Sequence, residues 1–185
     1  MESGLPQNKV SAVLQSRTGY LWTGTYNGLA RFDGVRFVCY DSGNTPELAD
    51  SLVTSLFEDY DGTLWIGHET GEVTTYAQGH FKSAGTAVHW VKKKILDIGA
   101  DEAGDVWLFN EDGLLARVRD GLVLAPESGL FANLVEMTRS EHGTIWVSRA
   151  GRVSVLHQGQ ITPLAFEAGL TNTTCLLYTS DAADE

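Results

Sequence analysis

Gly19-Tyr-Leu-Trp22, Gly62-Thr-Leu-Trp65, Gly104-Asp-Val-Trp107 and Gly143-Thr-Ile-Trp146 are four copies of one phrase, each with its tryptophan three residues after a glycine. A second glycine follows at Gly28, Gly71, Gly113 and Gly151, and a third at Gly34, Gly79, Gly121 and Gly159. One aromatic and several turn glycines in every copy of about 40 residues is the signature of propeller blades. The repeat therefore predicts an all-β chain of antiparallel four-stranded blades.

Each copy can be read strand by strand. Val10, Val53, Ile95 and Leu134 stand nine residues before the first glycine, and Val13, Leu56, Ile98 and Met137 stand six before it. An odd separation puts the two columns on opposite faces of a strand, as expected of an inner strand buried on both sides. Ser16, Asp59, Asp101 and Ser140 lie three residues ahead of the glycine, where short oxygen-bearing side chains accept hydrogen bonds from turn amides. Asp59-Tyr-Asp61-Gly62 superficially suggests a calcium loop but lacks the later ligands and the terminal glutamate. The second strand carries the tryptophan, and an indole in every copy reads as a wedge against the neighbouring blade rather than a stacking platform. A third strand follows (Leu29 to Phe32 in the first copy). Asp33-Gly34, Gln78-Gly79, Asp120-Gly121 and Gln158-Gly159 then mark hairpins into a fourth strand.

The blade boundaries read 1–45, 46–88, 89–128 and 129–168, with the start of a fifth blade at 169–174. The connector Gly4-Leu-Pro-Gln-Asn8 recurs as Gly129-Leu-Phe-Ala-Asn133 and again as Gly169-Leu-Thr-Asn172. At 175–185 the repeat stops, and Cys175-Leu-Leu-Tyr-Thr-Ser-Asp-Ala-Ala-Asp-Glu185 reads as one frame of a sequencing adapter rather than as protein. An open arc of four blades is expected, with Val10/Val13 exposed at one end and Leu134/Met137 at the other.

Composition narrows the function. The chain has 185 residues, 43% of them hydrophobic, enough for a sizeable core. A formal net charge of −11 argues against nucleic acid and anionic lipid as partners. Lys92-Lys93-Lys94 is too short to reverse that and reads as a solvated loop. No apolar run reaches membrane-spanning length, and Met1 to Gly4 shows no signal-peptide pattern. Cys39 and Cys175 form no metal or redox motif.

The run from Gly4-Leu-Pro-Gln-Asn8 through Gly19-Tyr-Leu-Trp22-Thr-Gly-Thr25-Tyr-Asn-Gly28-Leu-Ala-Arg-Phe32-Asp-Gly34 closely resembles the two-component regulator propeller repeat. The second copy, Asp61-Gly-Thr-Leu-Trp-Ile-Gly67, matches nearly as well, while Phe109 and Ser148 replace a customary glycine in the third and fourth. The resemblance covers Gly4 to Asn172. It implies four blades of a seven-bladed propeller in the periplasmic sensor region of a bacterial membrane receptor. It also implies downstream kinase or cyclase domains, a receptor dimer, and Met1 as an internal methionine of a longer chain. WD and quinoprotein repeats fit less well.

No nucleophile–base pair, histidine cluster or phosphate loop is legible, so no enzyme and no cofactor is expected. The histidines His68, His80, His89, His142 and His157 are scattered. In propellers the hairpins from second to third strand share a face with the connectors between blades. The candidate ligand-binding residues are therefore Tyr26, Asn27, His68, Glu69, Trp90, Asn110, Glu111 and Arg149 on the rim. Asp97 and Glu136 join them as carboxylates looking into the central channel, beside Ala12 and Ser55. The leading expectation is a ligand-sensing module for an extracellular small molecule, such as a saccharide. The alternative is a protein-interaction propeller without a small-molecule site.

Overall fold

The computed structural model describes residues 4–86, 90–119, 121–124, 132–140, 143–157 and 159–164. The start of the fifth blade and the adapter-like tail at 175–185 lie outside the described residues. Every element among those described is a strand. Blade 1 contains β1 (Val10–Gln15), β2 (Leu21–Thr25), β3 (Gly28–Phe32) and β4 (Phe37–Tyr40). Blade 2 contains β5 (Val53–Glu58), β6 (Leu64–His68), β7 (Val73–Ala77) and β8 (His80–Ser83). A short β9 (Gly85–Thr86) precedes blade 3, which has β10 (Ile95–Ala100), β11 (Val106–Asn110), β12 (Leu115–Arg119) and β13 (Leu122–Leu124). Blade 4 has β14 (Glu136–Arg139), β15 (Ile145–Arg149), β16 (Arg152–His157) and β17 (Gln160–Pro163).

Each blade is an antiparallel meander in chain order. The inner strands pack successively, β1 on β5, β5 on β10 and β10 on β14, and the blades form an open arc. One pairing departs from the repeat. The chain leaving blade 2 runs as β9 parallel to β13 and becomes the fifth, outermost strand of blade 3.

The two inner-strand columns share one face, contrary to the parity argument. In β1, β5 and β10 the register skips a residue: Val10 pairs with Thr25 but Ala12 with Gly24, Val53 with His68 but Ser55 with Gly67, and Ile95 with Asn110 but Asp97 with Phe109. The extra residue of a β-bulge restores an even step, so positions nine and six before the glycine point the same way. Val53 and Leu56 accordingly join Trp22 and Leu29 in one cluster, and Ile95 and Ile98 join Trp65 and Val73 in another. Leu134 and Met137 join Trp107 and Leu115.

The rule at each interface is then simple. The tryptophan of one blade packs on the paired apolar column of the next. Trp22, Trp65 and Trp107 are buried in this way, Trp22 also meeting Tyr76 edge-on at 5.0 Å. Trp146, with no following blade among the described residues, is only half-buried. At the first blade Val10 and Val13 are 42% and 61% exposed, as expected. At the last, Leu134 and Met137 are 6% and 5% exposed, so that expectation fails, because the shared face turns both toward blade 3.

The turn carboxylates do more than cap. Asp59 Oδ1 accepts the amides of Asp61 and Thr63 at 3.0 and 2.9 Å, while Oδ2 accepts the Trp65 indole N–H at 2.7 Å. Asp101 repeats this with Ala103, Asp105 and Trp107. The turn thereby fixes the indole that wedges into the next blade. Ser140, with a single side-chain oxygen, accepts the Thr144 amide at 3.2 Å.

Candidate functional site

In blades 1 to 3 the hairpin between second and third strand sits beside the connector entering its own blade. The amides of Tyr26, Glu69 and Glu111 donate to the carbonyls of Lys9, Leu52 and Lys94, at 3.4, 3.1 and 2.9 Å. This builds the rim that the repeat anticipates. The second glycine is what lets the next blade's connector close over it. Gly71, at φ +81°, lies so near the Lys92–Lys93 backbone that a Cβ would overlap it, and Gly113 meets Leu134 likewise.

The candidate residues divide by burial. Tyr26 is 37% exposed with the Lys9 ammonium 4.0 Å from its ring centroid, and Asn27 is exposed beside it. Glu69 and Glu111 are exposed, and both are anchored to Lys94: the ammonium lies 3.1 Å from Glu69, and the Lys94 carbonyl holds the Glu111 amide. Arg149 and Glu136 are half-buried on β15 and β14.

Three other candidates are buried. Asn110 Oδ1 caps its hairpin by accepting the amides of Asp112 and Leu114, at 3.1 and 2.9 Å. His68 Nε2 lies 2.9 Å from the Thr74 hydroxyl oxygen, which in turn accepts the Ala49 amide, so the ring pins the connector into blade 2. Its Nδ1 is buried without a hydrogen bond. Burial pushes the His68 pKa down to about 4, outweighing the pull of Asp50 and Glu72. Trp90 packs in the blade 2–blade 3 core and donates its indole N–H to the Gly71 carbonyl at 3.3 Å. It stands five residues before Ile95, as buried Leu48 stands five before Val53 and half-buried Leu5 five before Val10. Trp90 is thus the connector's anchor in its blade.

Asp97 does not look into the channel. Past the bulge it turns toward blade 4, where Arg139 Nη1 lies 3.1 Å from its carboxylate and 2.7 Å from the Ile98 carbonyl. The same guanidinium covers the Phe57 ring of blade 2 at 4.9 Å, tying three blades together. Burial raises the Asp97 pKa, and Arg139 opposes that rise.

The turns between first and second strands form the opposite face, which the repeat pattern does not mark. There the Arg17 guanidinium donates to the Asp59 and Tyr60 carbonyls, at 2.7 and 2.8 Å, and its amide donates to Glu58. Glu102 accepts the Thr144 hydroxyl at 3.1 Å and lies 3.0 Å from His157 Nδ1. Arg17, Tyr60 and Glu102 all stand two residues before the first glycine. That shared position, unlike in chemistry from copy to copy, was the available signal.

Antiparallel four-stranded blades joined face to face by indoles define a segment of β-propeller. Residues 4–27 and 47–70 match the two-component regulator propeller family and are repeats of that kind. No curated protein sequence matches the chain significantly. Among solved structures it is similar to virginiamycin B lyase from Staphylococcus aureus, at 16% identity and TM-score 0.65, covering 88% of this chain and 57% of that one. It is also similar to the extracellular domain of a hybrid two-component system from B. thetaiotaomicron, at 20% identity and TM-score 0.66, covering 88% and 25%. YCF48 bound to the D1 peptide gives 17% identity and TM-score 0.58, covering 86% and 56%. The chain thus spans about a quarter to three-fifths of these proteins' lengths, and at such identities the likeness is one of fold.

Proposed function

We propose that the chain is a non-catalytic, ligand-sensing segment of the extracellular propeller of a bacterial two-component receptor. The observation that carries this reading is the match of residues 4–27 and 47–70 to the regulator propeller family. The fold shared with the extracellular domain of a two-component system supports it. In this reading the four blades belong to a seven-bladed ring on the periplasmic side, and a downstream kinase or cyclase in a receptor dimer takes up the signal. The ligand is an extracellular small molecule, of which a saccharide is one class. It meets the exposed part of the rim, Tyr26, Asn27, Glu69 and Glu111, with Lys9 and Lys94 beside them.

One observation favours the protein-interaction alternative: His68, Trp90 and Asn110 are consumed in the core, so fewer of the candidate side chains remain at the rim to meet a small molecule. A thermal-shift screen of soluble saccharides and other small metabolites separates the two. On the sensing reading a ligand raises the melting temperature, and Tyr26→Ala with Glu111→Gln abolishes the shift while Glu102→Gln on the opposite face does not. A screen without any shift, paired with capture of a protein partner through the same residues, sinks it in favour of the alternative. Because lyases share the fold, turnover of any hit is followed as well; turnover would overturn the non-catalytic assignment.

A further inference from the structure

The interfaces between blades are filled differently around their indoles. Two third-strand positions decide the filling: the residue paired with the tryptophan, and, in the next blade, the residue paired with the one before its own tryptophan. Between blades 1 and 2 these are Arg31 and Tyr76. The Tyr76 ring meets Trp22 edge-on with 5.0 Å between centroids, and its hydroxyl accepts Arg31 Nη1 at 3.0 Å. Between blades 3 and 4 they are Arg117, whose guanidinium lies 5.9 Å from the Trp107 ring, and Leu156, buried in the same cluster. Between blades 2 and 3 they are Thr75 and Val118, both short, and the Thr75 hydroxyl turns away to the Lys82 carbonyl of its own blade. A cleft of about 280 Å³ remains there, open to solvent among the turns between first and second strands. Trp65 and Val118 line it together with Asp59, Asp105 and Arg119. Both carboxylates are already engaged, Asp59 by its turn amides and the Trp65 indole, Asp105 by the Arg117 guanidinium. Arg119, exposed at the end of β12, makes no hydrogen bond or ion pair among the described residues.

We propose that this cleft is a binding site for a small aromatic carboxylate, separate from the rim and on the opposite face. The ring takes the place against Trp65 that the Tyr76 ring takes against Trp22. The carboxylate meets Arg119, whose planar fork matches it with two parallel hydrogen bonds. A cationic ligand finds no carboxylate left unengaged, so the charge open to a newcomer is the positive one. The volume falls at the lower end of small-molecule sites, roughly 300–1,000 Å³, and suits one ring rather than an oligosaccharide.

The test is a titration of the 185-residue chain with benzoate and with neutral benzamide, followed by ligand-observed nuclear magnetic resonance. Benzoate should saturate with a Kd on the order of 1 mM, a range that suits so small a ligand. Benzamide, and benzoate with Arg119→Gln, should each bind at least about tenfold more weakly. Val118→Tyr supplies the ring that blade 2 carries at this position and should abolish benzoate binding by filling the cleft. Arg36→Gln makes the same charge change on the corresponding hairpin of blade 1 and should leave binding as in the parent chain. Should Val118→Tyr fail to fold, as circular dichroism would show, the exposed Arg119→Gln alone decides. No saturation up to about 20 mM benzoate overturns the proposal. So does equal binding of benzamide, or benzoate binding indifferent to Arg119→Gln or to a folded Val118→Tyr.

Discussion

Neutral His68 suits its site better than charged His68, because the ring is enclosed and burial penalises the charge more than Asp50, Glu72 and the nearby Leu52 and Asp50 backbone favour it. The folded pKa of about 4 lies below the ordinary 6.5, so the unfolded chain takes up the proton first. Stability from this residue is therefore complete above pH 6.5 and is lost as pH falls toward 4, by about 3 kcal/mol in all. Urea midpoints at pH 7 and pH 4.5 should differ less in His68→Gln than in the parent chain. Equal differences would show that His68 is not the titrating group. Glycines offer a second contrast at this scale. Gly62→Ala meets open space and costs only the left-handed backbone, about 1–2 kcal/mol. Gly71→Ala adds a clash with the Lys93 backbone amide and carbonyl and should cost clearly more, measurable as a larger drop in melting temperature.

At the scale of the element, the aspartate turn is the part most open to test. Asp101→Ser converts the blade 3 turn to the version found in blades 1 and 4, and it leaves the buried Trp107 N–H without Oδ2. A loss of about 1–3 kcal/mol is expected. Trp107 fluorescence that shifts toward the red in the Trp22→Phe, Trp65→Phe, Trp90→Phe, Trp146→Phe background would confirm that the indole has loosened; an unmoved spectrum would refute the coupling. The same elements show where sequence reading succeeds and stops. Tryptophan and glycine spacing located all four blades because a turn needs its glycine and a wedge needs its indole at a fixed step. The bulge was invisible, since Ser11, Thr54 and Leu96 look like ordinary strand residues, and one hidden residue reverses every parity argument after it. Past that residue Asp97, seven before its glycine, lies against Arg139. Trp90 was legible in principle, five residues before its column like Leu48, but its type differs from its counterparts and drew a functional reading. Glu69 and Glu111 could be placed on a rim, whereas their common anchor on Lys94 depends on how neighbouring blades meet.

At the scale of the molecule, Val10 and Val13 stand in water on the outer face of blade 1. Each large side chain left in water at an end forgoes roughly 1.5–3 kcal/mol of burial. That is a sizeable part of a domain stability of about 5–15 kcal/mol. On the proposed seven-bladed reading, a longer chain that covers this face should melt in a single transition at a higher temperature. A melt unchanged by the added blades would show that this face is not the weak point. Deleting 175–185 is a separate check, and the adapter reading expects no change in the melt of the remaining chain.

The strand that leaves blade 2 and pairs along the outside of blade 3 also bears on how such a protein can be cut and rejoined. Gly85 donates its amide to the Gly121 carbonyl, so the last residues of one repeat's sequence belong to the next repeat's sheet. Recombination at the apparent repeat boundary after residue 88 would carry β9 away with the upstream partner and leave β13 with a bare outer edge. A crossover just before Gly85 would keep blade 3 whole. For genetic exchange the unit in this part of the chain is offset from the visible repeat, and shuffled libraries spliced at the two positions should differ in their yield of soluble product.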